Sequence, residues 1–183
     1  VGSDVESANR SGLAAAVADA AAADVAIVVV GDRAGLFGRG TVGEGNDVES
    51  LALPGVQREL VEAIVATGTP TVLVLLTGRP YAIGWALDGQ SRPAAVVQAF
   101  FPGEEGGAAI ADVLLGVVSP SGRLPLSLPR DGGAQPYRYL QPPLGGPSDV
   151  TSADPTPVRP FGFGLTYATF AYGELEVAGE VVA

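Results

Sequence analysis

The sequence predicts an α/β fold built around a mostly parallel sheet. Three apolar runs, rich in alanine and β-branched residues, lie at residues 24–31, 69–76 and 94–101. Each run is followed by a glycine-containing loop and then by a segment with helical character. Continuously apolar strands are typical of parallel sheets covered on both faces. Strands that alternate with helices are typical of successive βαβ units.

Helical segments precede and separate these strands. Residues 6–23 are alanine-rich and place their leucine and valine residues on one side. Residues 56–66 carry apolar side chains at helical spacing after Pro54, and proline is common near a helix start. Residues 108–115 predict a further helix after the third strand.

The composition changes after Gly116. Residues 121–129 alternate in polarity and predict a short strand, whereas residues 131–159 are rich in proline and glycine and predict an extended surface loop. Residues 161–177 are aromatic and strand-like. The chain contains no internal repeat.

Composition and charge narrow the class of protein. With 183 residues, 47% of them hydrophobic and 16% charged, the chain is long enough and apolar enough for one folded domain. Its formal net charge of −10 opposes binding to phosphate backbones and anionic lipids, so we expect neither nucleic acid nor membrane as a partner.

The residue types that are missing restrict the chemistry further. The chain has no cysteine and no histidine, which excludes disulfides, thiol catalysis, Ser-His-Asp triads and zinc sites of the usual kind. We expect no metal and no cofactor. Any catalysis must therefore use carboxylates, hydroxyls, backbone groups or basic side chains.

The loop at residues 31–50 carries the clearest candidate for chemistry. Glu44 lies between two glycines, which lets the backbone present this carboxylate outward, and Asp47 and Glu49 follow closely. Taken alone, the simpler interpretation is a solvated acidic turn, and the spacing is not that of a calcium-binding EF-hand. The loop also lacks the phosphate-binding glycine patterns, so a nucleotide-binding regulatory domain is a weak alternative.

An ordered set of motifs resembles the second domain of glycoside hydrolase family 3, of the bacterial β-glucosidase and β-xylosidase type. The similarity covers about residues 24–172. Its motifs are GEGND at 43–47, LALPGVQ at 51–57, VLLTGRP at 74–80, QAFFPGEEGG at 98–107, SGRLP at 121–125 and PFGFGLTY at 160–167.

The resemblance implies a fold and a partner. It implies a three-layer α/β/α sandwich of about six strands over residues 1–172, with residues 173–183 as a linker or the start of a fibronectin-like module. Family members typically place this domain after a (β/α)8 barrel that carries an aspartate nucleophile. The expected substrate is a β-linked oligosaccharide or glycoside, which such enzymes cleave from one end with retention of configuration. Without the barrel, the isolated chain is expected to be inactive.

The resemblance also implies roles for residues of this loop. Glu44 matches the general acid/base, with Asp47 and Glu49 as rival assignments. Arg33, Phe37 and Asp47 are expected to contact substrate, although a salt bridge within the loop is the simpler role for Arg33.

A non-catalytic carbohydrate-binding or scaffolding domain is the alternative function. The single tryptophan, Trp85, lies on an apolar helical stretch and is predicted to pack in the core rather than to stack on a sugar. The chain starts without methionine and without a basic leader, so we expect the true N-terminus to be absent. Both a cytoplasmic and a secreted bacterial location stay open.

Overall fold

The computed structural model describes residues 2–90, 92–133, 139–140, 146–150, 152 and 154–174. Within these residues the elements are, in chain order, α1 (Leu13–Ala21), β1 (Ala26–Gly31), α2 (Gln57–Val65), β2 (Thr71–Leu76), α3 (Gly84–Leu87), β3 (Ala95–Gln98) and α4 (Gly106–Leu114).

The three strands form one parallel sheet in the order β1-β2-β3. Ala26 lies opposite Thr71, Gly31 lies opposite Leu76, and Val72 lies opposite Ala95. This arrangement confirms the prediction of an α/β fold with a parallel sheet. It also places the carboxyl ends of all three strands at one edge of the sheet.

The core lies between one face of the sheet and the helices α1 and α2. These helices pack against each other, and α2 packs on β1 and β2. Trp85 packs against this core as predicted, and the Arg58 guanidinium lies 5.1 Å from the centre of its ring. The buried apolar residues of these elements include Ala16, Ala20, Val28, Val30, Leu60, Val61, Ile64, Leu73 and Leu75.

The other face of β1 is uncovered in the described part of the chain. Successive side chains of a strand point to opposite faces. Val28 and Val30 therefore enter the core, while Ile27 and Val29 are 57% and 55% exposed. Val25, directly before the strand, is also more than half exposed. A parallel sheet is normally covered on both faces, so this face is an apolar surface that can accept a further layer.

Helix α1 is shorter than predicted because side chains bond the backbone amides of residues that precede Leu13. The prediction began at residue 6, whereas the helix begins at Leu13. The Asn9 backbone N–H donates to the Ser7 hydroxyl, and the Ser11 backbone N–H donates to the Asn9 side-chain oxygen. Such local bonds favour turns over helix.

The described residues contain three strands, which does not confirm the six of the sandwich prediction. In the described residues, neither 121–129 nor 161–174 forms a strand: Leu128 makes an isolated bridge to Arg159, and Leu124 exchanges backbone hydrogen bonds with Gly162 and Phe163. Pro125, Pro129 and Pro160 lack the N–H that a ladder needs, which explains why an alternating pattern did not become a strand. The predicted loop at 131–159 lies partly, and the residues from 175 onward wholly, outside the described residues.

No helix among the described residues is both long and apolar enough to cross a membrane.

Candidate active-site loop

The segment that follows β1 forms a spiral at the carboxyl edge of the sheet, the edge where open parallel sheets place functional groups. Residues 33–37 and 41–44 run side by side in the same direction. The backbone amide of Thr41 donates to Arg33 O at 2.8 Å, Gly35 N donates to Val42 O at 3.0 Å, and Phe37 N donates to Glu44 O at 2.8 Å. The spiral therefore fixes the backbone around Glu44 without any regular secondary structure.

The Asn46 side chain fills the centre of this spiral. It is only 7% exposed, and its Nδ2 donates to Gly35 O at 2.9 Å and to Glu44 O at 3.2 Å. Its Oδ1 accepts a long bond of 3.4 Å from Gly40 N. An asparagine amide can replace missing backbone partners in this way, and here it holds both arms of the spiral together.

Asp32 joins the loop after β1 to the loop after β2. Its carboxylate accepts hydrogen bonds from the Thr41 hydroxyl at 2.6 Å, from Gly78 N at 2.9 Å and from the Tyr81 hydroxyl. Hydrogen bonds to an ionised acceptor are about twice as strong as neutral ones. Asp32 is thus a structural carboxylate that is held by three donors.

The Tyr81 phenol responds to this environment. Its side chain is buried, and burial raises its pKa above the ordinary value. The hydrogen bond to Asp32 and the charge of Asp32 raise the pKa further, while the charge of Arg79 acts in the opposite direction. The neutral phenol is therefore the form that the folded chain favours.

Tyr81→Phe is expected to destabilise the chain by about 1–3 kcal/mol near neutral pH, because the Asp32 carboxylate loses a donor. Above pH 10, about the pKa of an unfolded tyrosine, the wild type should lose stability by up to about 1.4 kcal/mol per pH unit, because only the unfolded phenol ionises there. The difference between wild type and variant should therefore narrow as the pH rises.

Urea unfolding between pH 8 and 11 measures this effect. Tyr172→Phe is the matched control, since the Tyr172 side chain is fully exposed. This variant should change neither the stability near neutral pH nor its dependence on pH. A constant difference between wild type and Tyr81→Phe across the range would contradict the coupling.

Glu44 combines a fixed backbone with a free carboxylate. Gly43 and Gly45, on either side, have φ angles of +119° and +71°, a region that glycine occupies readily. The Glu44 carbonyl is held by Phe37 N and by Asn46, whereas its side chain is exposed and its carboxylate bonds to no described residue. The flanking glycines thus present the side chain outward, as the sequence predicts.

The three residues predicted to contact substrate, Arg33, Phe37 and Asp47, have different surroundings in the structure. Arg33 forms an ion pair with Glu6, and both side chains are about half exposed, so its partner lies outside the loop rather than within it. Phe37 is 71% exposed with a φ of +51° and lies against Gly45, next to Glu44. Asp47 is exposed and its carboxylate bonds to no described residue.

Two open depressions flank the spiral. One, of about 630 Å³, is acidic and includes Glu6, Asp47 and Glu49 in its lining. The other, of about 500 Å³, is mainly apolar and includes Leu36 and Phe101. Gly43 lines the apolar depression, and Gly45 lines the acidic one, so Glu44 lies on the boundary between them.

Four residues that organise this site are not among the site residues expected from the sequence: Asp32, Asn46, Arg79 and Tyr81. A signal was available for two of them. Asp32 directly follows β1, and Arg79 comes three residues after the end of β2. Polar residues just beyond the ends of neighbouring parallel strands converge on one edge of the sheet. Among the described residues, no cluster of three or more acidic side chains is arranged to hold a metal ion.

Comparisons with known proteins give a consistent result. The family model "Glycosyl hydrolase family 3 C-terminal domain" matches residues 4–167. A β-xylosidase of Formosa agariphila is 40% identical over 175 residues, which cover 94% of this chain and 23% of that protein. A periplasmic β-glucosidase of Salmonella typhimurium is 36% identical over 173 residues, covering 89% of this chain and 22% of that protein.

Solved structures agree. A β-glucosidase of Listeria innocua in complex with glucose matches with a TM-score of 0.76 and 27% identity, over 90% of this chain and 23% of that one. An intestinal bacterial β-glucosidase involved in saponin metabolism matches with a TM-score of 0.74 and 32% identity, over 93% of this chain and 24% of that one. The chain therefore spans less than a quarter of the length of each of these four proteins.

Proposed function

The chain belongs to the glycosyl hydrolase family 3 C-terminal domain family, and on that premise we propose that it is the second domain of a retaining, exo-acting β-glycosidase. The proposed substrate is a β-linked oligosaccharide or glycoside that ends in glucose or xylose. The names of the relatives, β-glucosidase and β-xylosidase, support these two sugars.

The proposed enzyme has two domains. A (β/α)8 barrel of the same protein supplies an aspartate nucleophile, and this chain supplies the general acid/base, Glu44. The two-domain enzyme is this chain joined to its barrel. The greater length of the relatives leaves room for such a partner. The exposed apolar face of β1 supports a further layer, which the proposed three-layer sandwich of about six strands requires.

One observation carries the assignment of Glu44. Its backbone is fixed at the carboxyl edge of the sheet, yet its carboxylate is exposed and bonds to no described residue. A group that must give and take a proton needs a defined position and a free oxygen. The carboxylates of Asp47 and Glu49 also bond to no described residue, but these two residues lack the pair of bonds that holds the Glu44 carbonyl.

The reaction proceeds in two steps. In the first, protonated Glu44 gives its proton to the glycosidic oxygen while the barrel aspartate attacks the anomeric carbon, so the leaving group departs as an alcohol and a glycosyl ester forms. In the second, the Glu44 carboxylate takes a proton from water, whose oxygen attacks the anomeric carbon and releases the aspartate. Retention requires the two carboxyl groups to lie about 5–5.5 Å apart.

The neighbouring residues then have defined roles. Phe37, exposed beside Glu44, lines the side where the leaving group departs. Asp47 faces the acidic depression and contacts polar groups of the substrate. Arg33 pairs with Glu6 through Nη2 alone, so its other guanidinium donors contact polar groups of the substrate.

The stereochemistry of the first product tests this proposal. The two-domain enzyme should hydrolyse an aryl β-glucoside or β-xyloside and release the β-sugar before mutarotation, as followed by proton NMR. The isolated chain should hydrolyse neither substrate. An α-sugar as first product would contradict the retaining mechanism. Sugar binding by the isolated chain that is indifferent to Glu44→Gln would instead favour a non-catalytic carbohydrate-binding domain.

A further inference from the structure

Arg79 grips the loop that carries Glu44. Its Nη2 atom donates to Thr41 O at 2.8 Å and to Asn46 O at 2.7 Å. These carbonyls lie three residues before and two residues after Glu44. One nitrogen from the loop after β2 thus spans the short segment that presents the candidate acid/base.

The Arg79 guanidinium makes no other hydrogen bond to the described residues. Its Nε is buried without a hydrogen bond, and no carboxylate lies within ion-pair distance among the described residues. Arginine usually satisfies its charge with a carboxylate when partly buried. Here its hydrogen bonds to the described residues end on the two loop carbonyls, so its position serves the loop rather than a salt bridge.

Asp32 fixes the segment from which Arg79 extends. The Asp32 carboxylate, at the end of β1, accepts from Gly78 N and from the Tyr81 hydroxyl, on either side of Arg79. The two loops are therefore cross-linked in both directions: Asp32 reaches from the first to the second, and Arg79 reaches from the second back to the first. Both ends of this cross-link are anchored to neighbouring strands.

We propose that Arg79 is a positioning residue for Glu44: by holding the carbonyls of Thr41 and Asn46, it fixes the distance over which Glu44 transfers its proton. The inference rests on the proposed function. Arg79 itself touches neither substrate nor the transferred proton. Its loss leaves the chemistry of the carboxyl group unchanged but lets the segment between residues 41 and 46 move.

This role predicts a particular kinetic change. A displaced acid hinders substrates whose leaving group needs protonation, such as a sugar, more than an activated aryl glycoside such as a dinitrophenyl glycoside. A purely structural defect lowers the amount of active enzyme and affects both substrates equally. The ratio of the two kcat/KM values therefore distinguishes positioning from stability.

The experiment compares variants of the two-domain enzyme on both kinds of substrate. Arg79→Met should lower kcat/KM about 10-fold more for the sugar leaving group than for the dinitrophenyl one. Arg79→Lys, which keeps a charged donor, should recover part of this loss. Arg39→Met is the matched control, because Arg39 lies in the loop that carries Glu44, is exposed and makes no side-chain bond among the described residues. It should leave the ratio unchanged.

Hydrogen exchange gives a second readout that does not depend on catalysis. Peptides that span residues 35–46 should exchange about 10-fold faster in Arg79→Met than in Arg39→Met, and at an intermediate rate in Arg79→Lys. If Arg79→Met does not fold, Arg79→Lys supplies both measurements.

Glu44→Gln serves as the reference that separates the two proposals. If Glu44→Gln changes the leaving-group ratio and the Arg79 variants do not, the positioning role is wrong while the proposed function stands. If Glu44→Gln itself leaves the ratio unchanged, the acid/base assignment fails and the positioning role fails with it. An altered ratio in all Glu44 and Arg79 variants, with Arg39→Met unchanged, supports both.

Discussion

Glu44→Gln is expected to lower kcat/KM of the two-domain enzyme by about 10²–10⁴-fold for substrates with a sugar leaving group. The amide cannot give a proton to the departing oxygen, and it cannot later take one from water. Activated aryl glycosides need no proton for departure, so their first step should survive. The expected signature is a rapid burst of aryl alcohol followed by slow turnover, because the glycosyl ester then accumulates.

The neighbouring carboxylates provide the controls for this prediction. Glu104→Gln, at an exposed position before α4, makes the same change of side chain far along the sequence and should leave both steps unaffected. Asp47→Asn and Glu49→Gln should release the aryl alcohol without a burst, as the wild type does. If either variant shows the burst signature and Glu44→Gln does not, the acid/base role belongs to that residue instead. Azide should accelerate the slow step of the true acid/base variant, since it attacks the ester without needing a base.

Gly43→Ala is expected to lower kcat/KM for substrates with a sugar leaving group by about 10²-fold, although it changes no charged group. Gly43 has a φ of +119°, and a Cβ there would lie 1.9 Å from the carbonyl oxygen of Gly35. That oxygen also accepts from Asn46 Nδ2, so the spiral cannot yield without breaking the bond that centres it. The loop must move, and Glu44 moves with it.

Gly38→Ala separates this close approach from backbone strain alone. Gly38 lies in the same loop with a φ of +78°, but a methyl group added there would have no described atom within 4 Å, so the variant carries only the cost of an unfavourable φ. Its rate should stay close to that of wild type. Melting temperatures of both variants show whether unfolding contributes. Equal rates for Gly38→Ala and Gly43→Ala would contradict the importance of the Gly35 contact.

Local sequence patterns were sufficient to predict the parallel sheet and the loop with Glu44. β1 and β2 are recognisable because their residues are apolar at nearly every position, and the two glycines beside Glu44 mark an unusual backbone. The pattern failed at residues 121–129, where prolines remove ladder donors from an otherwise alternating segment. Polarity alone does not report whether a segment has the backbone donors that a strand needs.

The groups that organise the site could not be predicted in the same way. Asp32 and Tyr81 are 49 residues apart, and Arg79 lies 38 residues beyond Thr41. Their contacts follow from the register of β1 against β2, which brings the loops after the two strands side by side. The places of Asp32 and Arg79 just beyond β1 and β2 indicate the sheet edge that they share, but no local pattern indicates which groups they bond.

The spiral separates the bonds that fix the proton donor from the surface that the loop offers to a leaving group. The hydrogen bonds of Asp32 and Arg79 end on Thr41, Gly78, Tyr81 and Asn46, whereas residues 37–39 are exposed and receive none of them. Side-chain exchanges at Phe37 therefore alter the surface offered to a leaving group, while its backbone amide still holds the Glu44 carbonyl and the proton donor keeps its place. Substrate preference can diversify in the proposed enzyme, by natural variation or by design, at a position where the catalytic step is not at risk.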